Sequence, residues 1–246
     1  MSKSSPQQVP LPFRVDNQAT FDNYWGEADA LLIDQLQRLA VGADPAGIAL
    51  SPPWVYLAAE AKRGVSHLLQ ASCAMAQAHN HHANYLNLAE LLRAYHTAPD
   101  GVFAGFERPG LLCLDDIDAL RSRHDWQEQL FYLLERIKQS GSVRLLVGGH
   151  AVAAELDFDL ADLSSRLKLA SGFQLAELSD QQKQQLLIFK AHRLGLVLSE
   201  EVSQFLLLRC SRNVGDLLAI LQRLDRAAMI DKRKLTIPWV KSVLDL

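Results

Sequence analysis

Apolar residues follow two alternating patterns through the first two thirds of the chain. Short continuous apolar runs are typical of buried strands, and an apolar residue at every third or fourth position is typical of an amphipathic helix. The predicted strands cover residues 54–58, 84–88, 111–116, 143–147 and 173–175. Helical patterns separate them at residues 67–78, 89–96, 126–138 and 159–169. This alternation predicts an α/β fold, with a parallel sheet and helices on both faces.

From residue 178 onward the apolar spacing is helical throughout. Ser179, Ser199 and Asn213 are residue types favoured at helix N-caps, and each precedes a helical pattern. Thr236 followed by a proline at 238 is typical of the start of a final helix. A separate helical pattern at 27–41 precedes the first strand. We therefore expect a flexible tail at residues 1–20, an α/β domain at 21–176 and a small all-helical lid domain at 177–246.

The composition is that of an ordinary globular protein. The 246 residues are 49% hydrophobic and 22% charged, and the net charge of −3 gives no general attraction to nucleic acid. The sequence has no signal-peptide pattern and no apolar run long enough to span a bilayer, so we expect a cytoplasmic protein. The three cysteines stand singly in apolar surroundings, which predicts small buried thiols in a reducing compartment.

A degenerate phosphate-binding loop lies between the first predicted strand and the helix that follows it. Against the pattern G-x-x-x-x-G-K-[S/T], residues 59–66 keep Gly64 and Ser66 but have alanine at 59 and Val65 in place of lysine. That lysine is normally the main protein cation for the outer phosphates. Backbone N–H groups at the helix start still offer a phosphate site, with Lys62 or Arg63 as nearby sources of positive charge.

Two carboxylates end the third predicted strand. Residues 111–114 are apolar, and Asp115 and Asp116 follow directly. Ligands of parallel α/β sheets bind at the carboxyl ends of the strands, so both acids would face a binding crevice. In a P-loop nucleotide site one such carboxylate holds Mg²⁺ and the next group orients a water molecule. Taken alone, these residues equally suit a strand that stops at a polar turn.

The predicted tail contains a short motif at residues 8–13 with the sequence QVPLPF. Its prolines hold the segment extended, with Leu11 and Phe13 as apolar anchors and Gln8 ahead of them as a hydrogen-bonding group. Such a segment suits docking into a preformed pocket of a partner. Composition alone favours the simpler interpretation, an ordinary proline-containing tail.

Two further groups of side chains have ordinary interpretations. His79, His81 and His82 suggest a metal site, but no matching cysteine or carboxylate set accompanies them, which favours a solvated turn. A basic group in the predicted lid equally suits a DNA-contacting patch and solvated helix faces. It comprises Arg223, Arg226, Lys232, Arg233 and Lys234.

The order of these features resembles the plan of AAA+ ATPases: a P-loop position, an apolar strand ending in acids, a further strand, an arginine-bearing helix and a helical lid. More closely, the chain resembles the Hda family, DnaA-related proteins that inactivate the replication initiator DnaA. The similarity runs over nearly the whole length, and it is specific only when several segments are taken together. These segments are residues 8–13, 66–69, 111–118, 162–167, 221–225 and 233–241.

The resemblance implies a role for each matching position. The motif at 8–13 would dock on the DNA sliding clamp through Gln8, Leu11, Pro12 and Phe13. A nucleotide site for ADP, with Mg²⁺ at Asp115, would be formed by Gly64, Val65, Ser66, His67, Asp115 and Asp116. Arg166 falls at the arginine finger that such proteins present to the ATP of a neighbouring subunit.

An arginine finger acts through charge and shape. A guanidinium supplied in trans stabilises charge on the transferring phosphoryl group and contributes about 10³–10⁵ in rate, or roughly 4–7 kcal/mol. Its planar fork also matches phosphate oxygens better than an ammonium does. From the residues alone, the alternative for Arg166 is a surface arginine paired with a nearby acid such as Asp162.

Three positions depart from the family pattern. Val65 replaces the P-loop lysine, Gly215 stands where a lid arginine would reach the nucleotide, and His150 stands where an acidic residue is common. Two cationic contacts to phosphate are therefore missing. We expect no competent ATP hydrolysis by the chain itself and only weakened ADP binding.

These expectations describe a negative regulator of replication initiation and not a self-sufficient enzyme. The clamp-bound protein would be concentrated near DnaA, and it would meet DNA indirectly through the clamp. Arg166 would then promote hydrolysis of DnaA-bound ATP. The alternative is a non-catalytic adaptor that binds the clamp and a DnaA-like partner and acts by occupancy. A homodimer is also compatible with the resemblance, and a membrane role is not expected.

Overall fold

The computed structural model describes residues 19–25, 30–42, 53–60, 62–231 and 235–246. The predicted clamp-binding motif at 8–13 and the basic residues at 232–234 lie outside these ranges. The described chain forms two compact units. The first contains the sheet and ends at Leu175, and the second is Ala176–Leu246, with which Trp25, Lys62 and Arg63 are grouped.

Strands and helices alternate in the first unit, and helices alone follow in the second. The strands are β1 (Trp54–Ala58), β2 (Ala83–Asn87), β3 (Gly110–Asp115), β4 (Val143–Gly149) and β5 (Ser171–Gln174). The helices are α1 (Ala30–Val41), α2 (Val65–Ala78), α3 (Leu88–Ala94), α4 (His124–Ser140), α5 (Ala161–Leu167), α6 (Asp180–Arg193), α7 (Glu200–Arg209), α8 (Val214–Asp231) and α9 (Ile237–Leu244). Within the described ranges, none of these helices has both the length and the apolar character needed to cross a membrane.

The five strands form one parallel sheet in the order β2-β3-β4-β1-β5. Strand β4 lies at the centre, where Leu145 is paired with Leu112 of β3 on one side and with Trp54 of β1 on the other. The parallel α/β sheet predicted from the alternating pattern is confirmed. Because all strands run the same way, their carboxyl ends meet at one edge.

Helices cover both faces of the sheet, since successive strand residues point to opposite sides. In β1, Trp54 and Tyr56 belong to one buried cluster, whereas Val55 and Leu57 belong to the other. The first cluster is completed by side chains of α3, α4 and α5, among them Leu91, Trp126, Leu130 and Leu163. The second is completed by side chains of α1 and α2, among them Leu36, Leu68 and Leu69.

The strands and helices of the first unit begin and end within a few residues of the predicted positions. Contacts of neighbouring residues accompany the differences. Leu88, predicted as the end of a strand, instead begins α3. The Asn87 side chain accepts a hydrogen bond from the Glu90 N–H at 2.9 Å and caps that helix. Strand β4 continues past its predicted end through Gly148 and Gly149, where neighbouring side chains leave no space for a Cβ.

The all-helical character predicted for the second unit is confirmed. The Ser179 hydroxyl accepts a hydrogen bond from the Gln182 N–H at 3.2 Å, and the Ser199 hydroxyl accepts one from the Val202 N–H at 3.3 Å. These contacts are the predicted N-caps of α6 and α7. The core of this unit combines side chains from α6 to α9, among them Leu187, Leu206, Leu221 and Val240.

Two of the three cysteines are buried, as predicted. Cys73 on α2 and Cys113 on β3 lie in the same core cluster, and burial raises the pKa of the Cys73 thiol to about 11. The prediction is wrong for Cys210, which is only half-buried because it lies at the C-cap of α7. The two buried thiols therefore act as small apolar side chains.

Arg144 on β4 holds the end of α1. Its Nη1 donates hydrogen bonds to the carbonyl oxygens of Leu39 and Ala40, at 2.6 and 2.8 Å. These carbonyls lie in the last turn of α1, where intrahelical N–H donors run out. We expect Arg144→Ala to lower the free energy of unfolding by about 2 kcal/mol, since a hydrogen bond from a charged donor contributes roughly 1.5–3 kcal/mol.

Chemical denaturation measures the effect of Arg144→Ala. Arg38→Ala is the matched control, because Arg38 lies on α1 in an exposed pair with Asp34, and such pairs contribute about 0–1 kcal/mol. Equal effects of the two substitutions would contradict the capping role of Arg144.

Candidate functional site at the carboxyl edge of the sheet

The P-loop position forms a tight turn into α2. Gly64 is the N-cap residue and has a φ of +104°, a left-handed conformation that favours glycine. A Cβ at this position would lie 3.0 Å from Cε2 of Tyr24. The first α-helical hydrogen bond joins the Leu68 N–H to the Gly64 carbonyl at 3.0 Å. The N–H groups ahead of it lie at a helix N-terminus, the kind of place where backbone donors bind phosphate.

Val65 packs where the P-loop lysine would stand. Its Cγ1 lies 2.5 Å from the place that a Cβ on Gly148 would take, so α2 and β4 approach closely here. His67 lies in the first turn of the helix, where its Nε2 is 2.9 Å from the Thr20 carbonyl oxygen and its ring stacks on Tyr24. This end of α2 therefore offers backbone donors without a lysine.

Asp115 is buried at the end of β3, and hydrogen bonds hold both its carboxylate oxygens. Oδ2 accepts from the Tyr85 hydroxyl at 2.6 Å, and Oδ1 accepts from the Asp116 N–H at 3.0 Å. The Ser66 side chain also hydrogen bonds to this carboxylate. Burial raises the pKa of Asp115 above its ordinary value, and the hydrogen bonds from Tyr85 and Ser66 oppose that shift.

Asp116 turns away from the strand with a φ of +56° and belongs to a second polar group. Its Oδ2 accepts a hydrogen bond from Nδ2 of Asn87 at 2.7 Å, and its Oδ1 lies 3.7 Å from Nε2 of His150. The His150 N–H in turn donates to Oδ2 of Asp118 at 2.5 Å. The structure thus brings together the carboxyl ends of β2, β3 and β4, as the sequence predicted for the acids.

The residues present do not fit a hydrated Mg²⁺ ion at Asp115. Mg²⁺ requires octahedral oxygen ligands and usually keeps several waters. Asp115 is only 1% exposed, and each of its oxygens already accepts a hydrogen bond from the protein. Across the described ranges, no group of three or more His, Cys, Asp and Glu side chains is arranged to hold a metal ion, His79, His81 and His82 included.

Two residues of β2 at this edge were not predicted. Tyr85 donates to Asp115, and Asn87 both binds Asp116 and caps α3. The signal in the sequence was a tyrosine and an asparagine inside a short, partly apolar strand. Their partners became evident only from the pairing of β2 with β3, which places Asn87 opposite Asp115.

In the second unit, the cations near the P-loop in sequence have acidic partners. Lys62 Nζ lies 2.5 Å from Oδ1 of Asp216, and this contact lowers the pKa of the Asp216 carboxyl. Arg63 pairs with Glu177 at 3.5 Å. A Cβ on Gly215 would lie 2.4 Å from the Cβ of Lys62. Lys62 therefore packs against Gly215 in the space that a side chain at position 215 would need.

Arg166 lies in the last turn of α5, with its side chain 28% exposed. It pairs with Glu135 of α4, so the alternative interpretation of a surface arginine beside a nearby acid matches the structure, with Glu135 and not Asp162 as the acid. In the lid, Arg223 of the predicted basic group pairs with Asp245 at 3.1 Å, which is an ordinary surface contact.

The sequence of this chain is similar to that of known proteins. Residues 180–244 match the family model for the lid domain of Hda. A relative from Haemophilus influenzae described as an uncharacterized protein is 33% identical over 240 residues, which cover 98% of this chain and 99% of the relative.

Solved DnaA structures share the fold. Domain III of the replication initiation protein DnaA from Thermotoga maritima superposes with a TM-score of 0.78 at 16% identity, over 95% of this chain and 98% of that one. AMPPCP-bound DnaA from Aquifex aeolicus has a TM-score of 0.69 at 18% identity, over 89% of this chain and 68% of that one. The predicted fold class, an AAA+ parallel sheet followed by a helical lid, is confirmed. The chain belongs to the Hda-like family of DnaA-related AAA+ proteins.

Proposed function

We propose that this protein is a negative regulator of replication initiation that promotes hydrolysis of DnaA-bound ATP. It acts in the cytoplasm, attached through residues 8–13 to a sliding clamp on DNA, and supplies Arg166 in trans to the ATP site of DnaA. Family membership supports a DnaA-related regulatory role. Attachment to the clamp and the action of Arg166 at the ATP site of DnaA are what we propose beyond this role.

The observation that carries the proposal is the contrast between Arg166 and the chain's own P-loop. Arg166 lies in the last turn of α5, and its side chain is partly exposed. The chain's own site has Val65 and Gly215 in place of phosphate-binding cations. A protein with this combination is better suited to completing another ATP site than to hydrolysing ATP by itself.

A reconstituted assay tests the proposal. ATP-bound DnaA is mixed with the full-length protein, with and without DNA-loaded clamp, and ATP turnover is followed. We expect stimulation that depends on the clamp and is lost when Leu11 and Phe13 are both replaced by alanine. Turnover by the isolated protein at the same rate would contradict the proposal, because it would identify an independent ATPase.

The adaptor hypothesis is tested in the same assay. An adaptor that acts by occupancy needs the tail anchors but no guanidinium at the partner's phosphates. It would therefore lose activity when Leu11 and Phe13 are replaced and keep it in an Arg166→Ala variant. The absent phosphate cations are compatible with an adaptor, so the Arg166→Ala result decides between the two functions.

ADP is the proposed ligand of the chain's own P-loop, held weakly through the backbone of residues 64–67 and without a tightly bound Mg²⁺. Such weak binding corresponds to a Kd in the millimolar range. In a thermal-shift titration we therefore expect stabilisation by ADP only at millimolar concentrations, since a ligand at its Kd stabilises a protein by about 0.4 kcal/mol and less below it. Mg²⁺ should add nothing to the shift, since Asp115 is occupied by protein donors.

Val65→Lys is the matched variant for this titration. A restored ammonium at the phosphates is expected to tighten ADP binding about tenfold, the effect of one charge-assisted hydrogen bond of about 1.4 kcal/mol. Micromolar, Mg²⁺-dependent binding by the unaltered protein would contradict the weak, metal-independent site.

A further inference from the structure

Arg166 is held by Glu135 on the neighbouring helix α4. The Nε–H of Arg166 donates a hydrogen bond to Oε1 of Glu135. The two side chains are 28% and 26% exposed, so they pair at the surface with most of their atoms shielded from water. Leu163 and Leu167 of α5 share a buried cluster with Leu134 of α4, so both helices pack on the same core.

The hydrogen bond to Glu135 uses the Nε end of the guanidinium. A guanidinium has five N–H donors, one on Nε and the others on the two Nη atoms. Among the residues that the structure describes, the Arg166 side chain hydrogen bonds through Nε alone. Because the group is planar, anchoring Nε sets the plane in which the Nη donors point. Two-point binding of phosphate oxygens depends on that orientation.

Anchoring also lowers the cost of ordering a long side chain. An arginine that is fixed by a partner loses rotamer freedom, and this loss opposes binding. When Glu135 holds Nε, part of this freedom is already lost in the unbound protein. Neighbouring charges on α4 have other partners: Arg136 lies 3.7 Å from Glu107, and Glu128 pairs with His124. Among the described residues, the ion pair of Glu135 is with Arg166.

We propose that Glu135 is a positioning residue, which orients Arg166 toward the phosphates of the partner's ATP. This inference rests on the proposed function of Arg166. Glu135 touches neither nucleotide nor attacking water in this scheme and acts only through the guanidinium. Its contribution is a hydrogen-bond acceptor for Nε–H, and a glutamine at the same position retains such an acceptor.

Full-length variants in the reconstituted assay with ATP-bound DnaA and DNA-loaded clamp test the role of Glu135. Glu135→Ala is expected to lower the maximal rate of hydrolysis about tenfold, the size of effect typical for removing a group that orients a functional ligand. The protein concentration that gives half-maximal stimulation should change by less than about twofold, since docking is unaffected. Glu135→Gln is expected to recover most of the rate.

Three controls separate positioning from structure. Glu128→Ala changes an exposed acid on the same helix and should leave the rate unchanged. Glu135→Asp keeps the charge but withdraws the carboxylate from Nε, so we expect it to lower the rate of hydrolysis about as much as Glu135→Ala. If Glu135→Ala does not fold, Glu135→Asp replaces it in the comparison. The double variant of Glu135→Ala with Arg166→Ala should be no less active than Arg166→Ala alone, because the two residues act as one unit.

The outcomes distinguish this inference from the proposed function. An unchanged or higher rate in the folded Glu135 variants, beside a lost rate in Arg166→Ala, would overturn the role of Glu135 alone. A loss in Glu135→Gln as large as in Glu135→Ala would overturn it too, because the effect would then follow the charge. Full activity of Arg166→Ala would overturn the proposed function and this inference together.

Discussion

Arg166→Ala is expected to reduce the clamp-dependent stimulation of DnaA-bound ATP hydrolysis by about 10³-fold or more. The physical reason is the charge that develops on the transferring phosphoryl group, which a guanidinium in trans neutralises at close range. Leu163 and Leu167 bury α5 against the core, so removal of the partly exposed Arg166 side chain should not unfold this helix. Single-turnover hydrolysis of labelled ATP preloaded on DnaA measures the effect.

Arg136→Ala is the matched control for Arg166→Ala. Arg136 lies on α4 of the same unit, with a 42% exposed side chain near Glu107, so its loss should leave stimulation unchanged. Arg166→Lys should give an intermediate rate, since an ammonium keeps the charge but not the planar fork. If Arg166→Ala stimulates as well as the unaltered protein, the adaptor hypothesis replaces the arginine finger.

Gly110→Ala should lower the free energy of unfolding by about 3 kcal/mol or more, from a combined steric and backbone penalty. Gly110 begins β3 with a φ of +152°, and a Cβ there would lie 2.2 Å from the His82 carbonyl oxygen. That oxygen accepts the Leu111 N–H at 2.9 Å, so it cannot move without disturbing the start of the β2–β3 pairing. Urea denaturation measures the loss.

Gly141→Ala separates the steric effect of Gly110→Ala from the backbone effect. Gly141 is the C-cap of α4 with a φ of +63°, and nothing lies within 4 Å of a Cβ at this position. It should therefore cost only about 1 kcal/mol, the penalty of a left-handed alanine. Equal costs at the two positions would show that the contact with His82 is easily relieved.

The sheet was predictable because burial on both faces produces continuous apolar runs. Strands β1 and β4 were placed correctly or nearly so for this reason, since each is covered by helices on both sides. The serine caps of α6 and α7 were predictable because a capping side chain acts within its own first turn. Local physics determines such features, so one sequence is enough.

The contacts of the site depend on residues that are distant in the chain. Tyr85 was not predicted as the partner of Asp115, and Glu135 was not predicted as the partner of Arg166. In both cases the pairing requires the strand order or the packing of two helices, which no local pattern contains. The acids Asp115 and Asp116 were found because every parallel strand ends at the same edge, a rule that holds for the whole fold class.

The close approach of Gly215 to Lys62 would make an arginine at position 215 hard to introduce by a single mutation. Any side chain at 215 would begin 2.4 Å from the Cβ of Lys62 and 2.7 Å from its Cδ, so it would meet the whole stem of this lysine. An arginine there would first have to displace Lys62 and break its contact with Asp216. Introducing it would thus require changes at both positions, and their effects would be strongly non-additive. An engineered arginine at this position would therefore have to be designed together with a smaller residue at position 62.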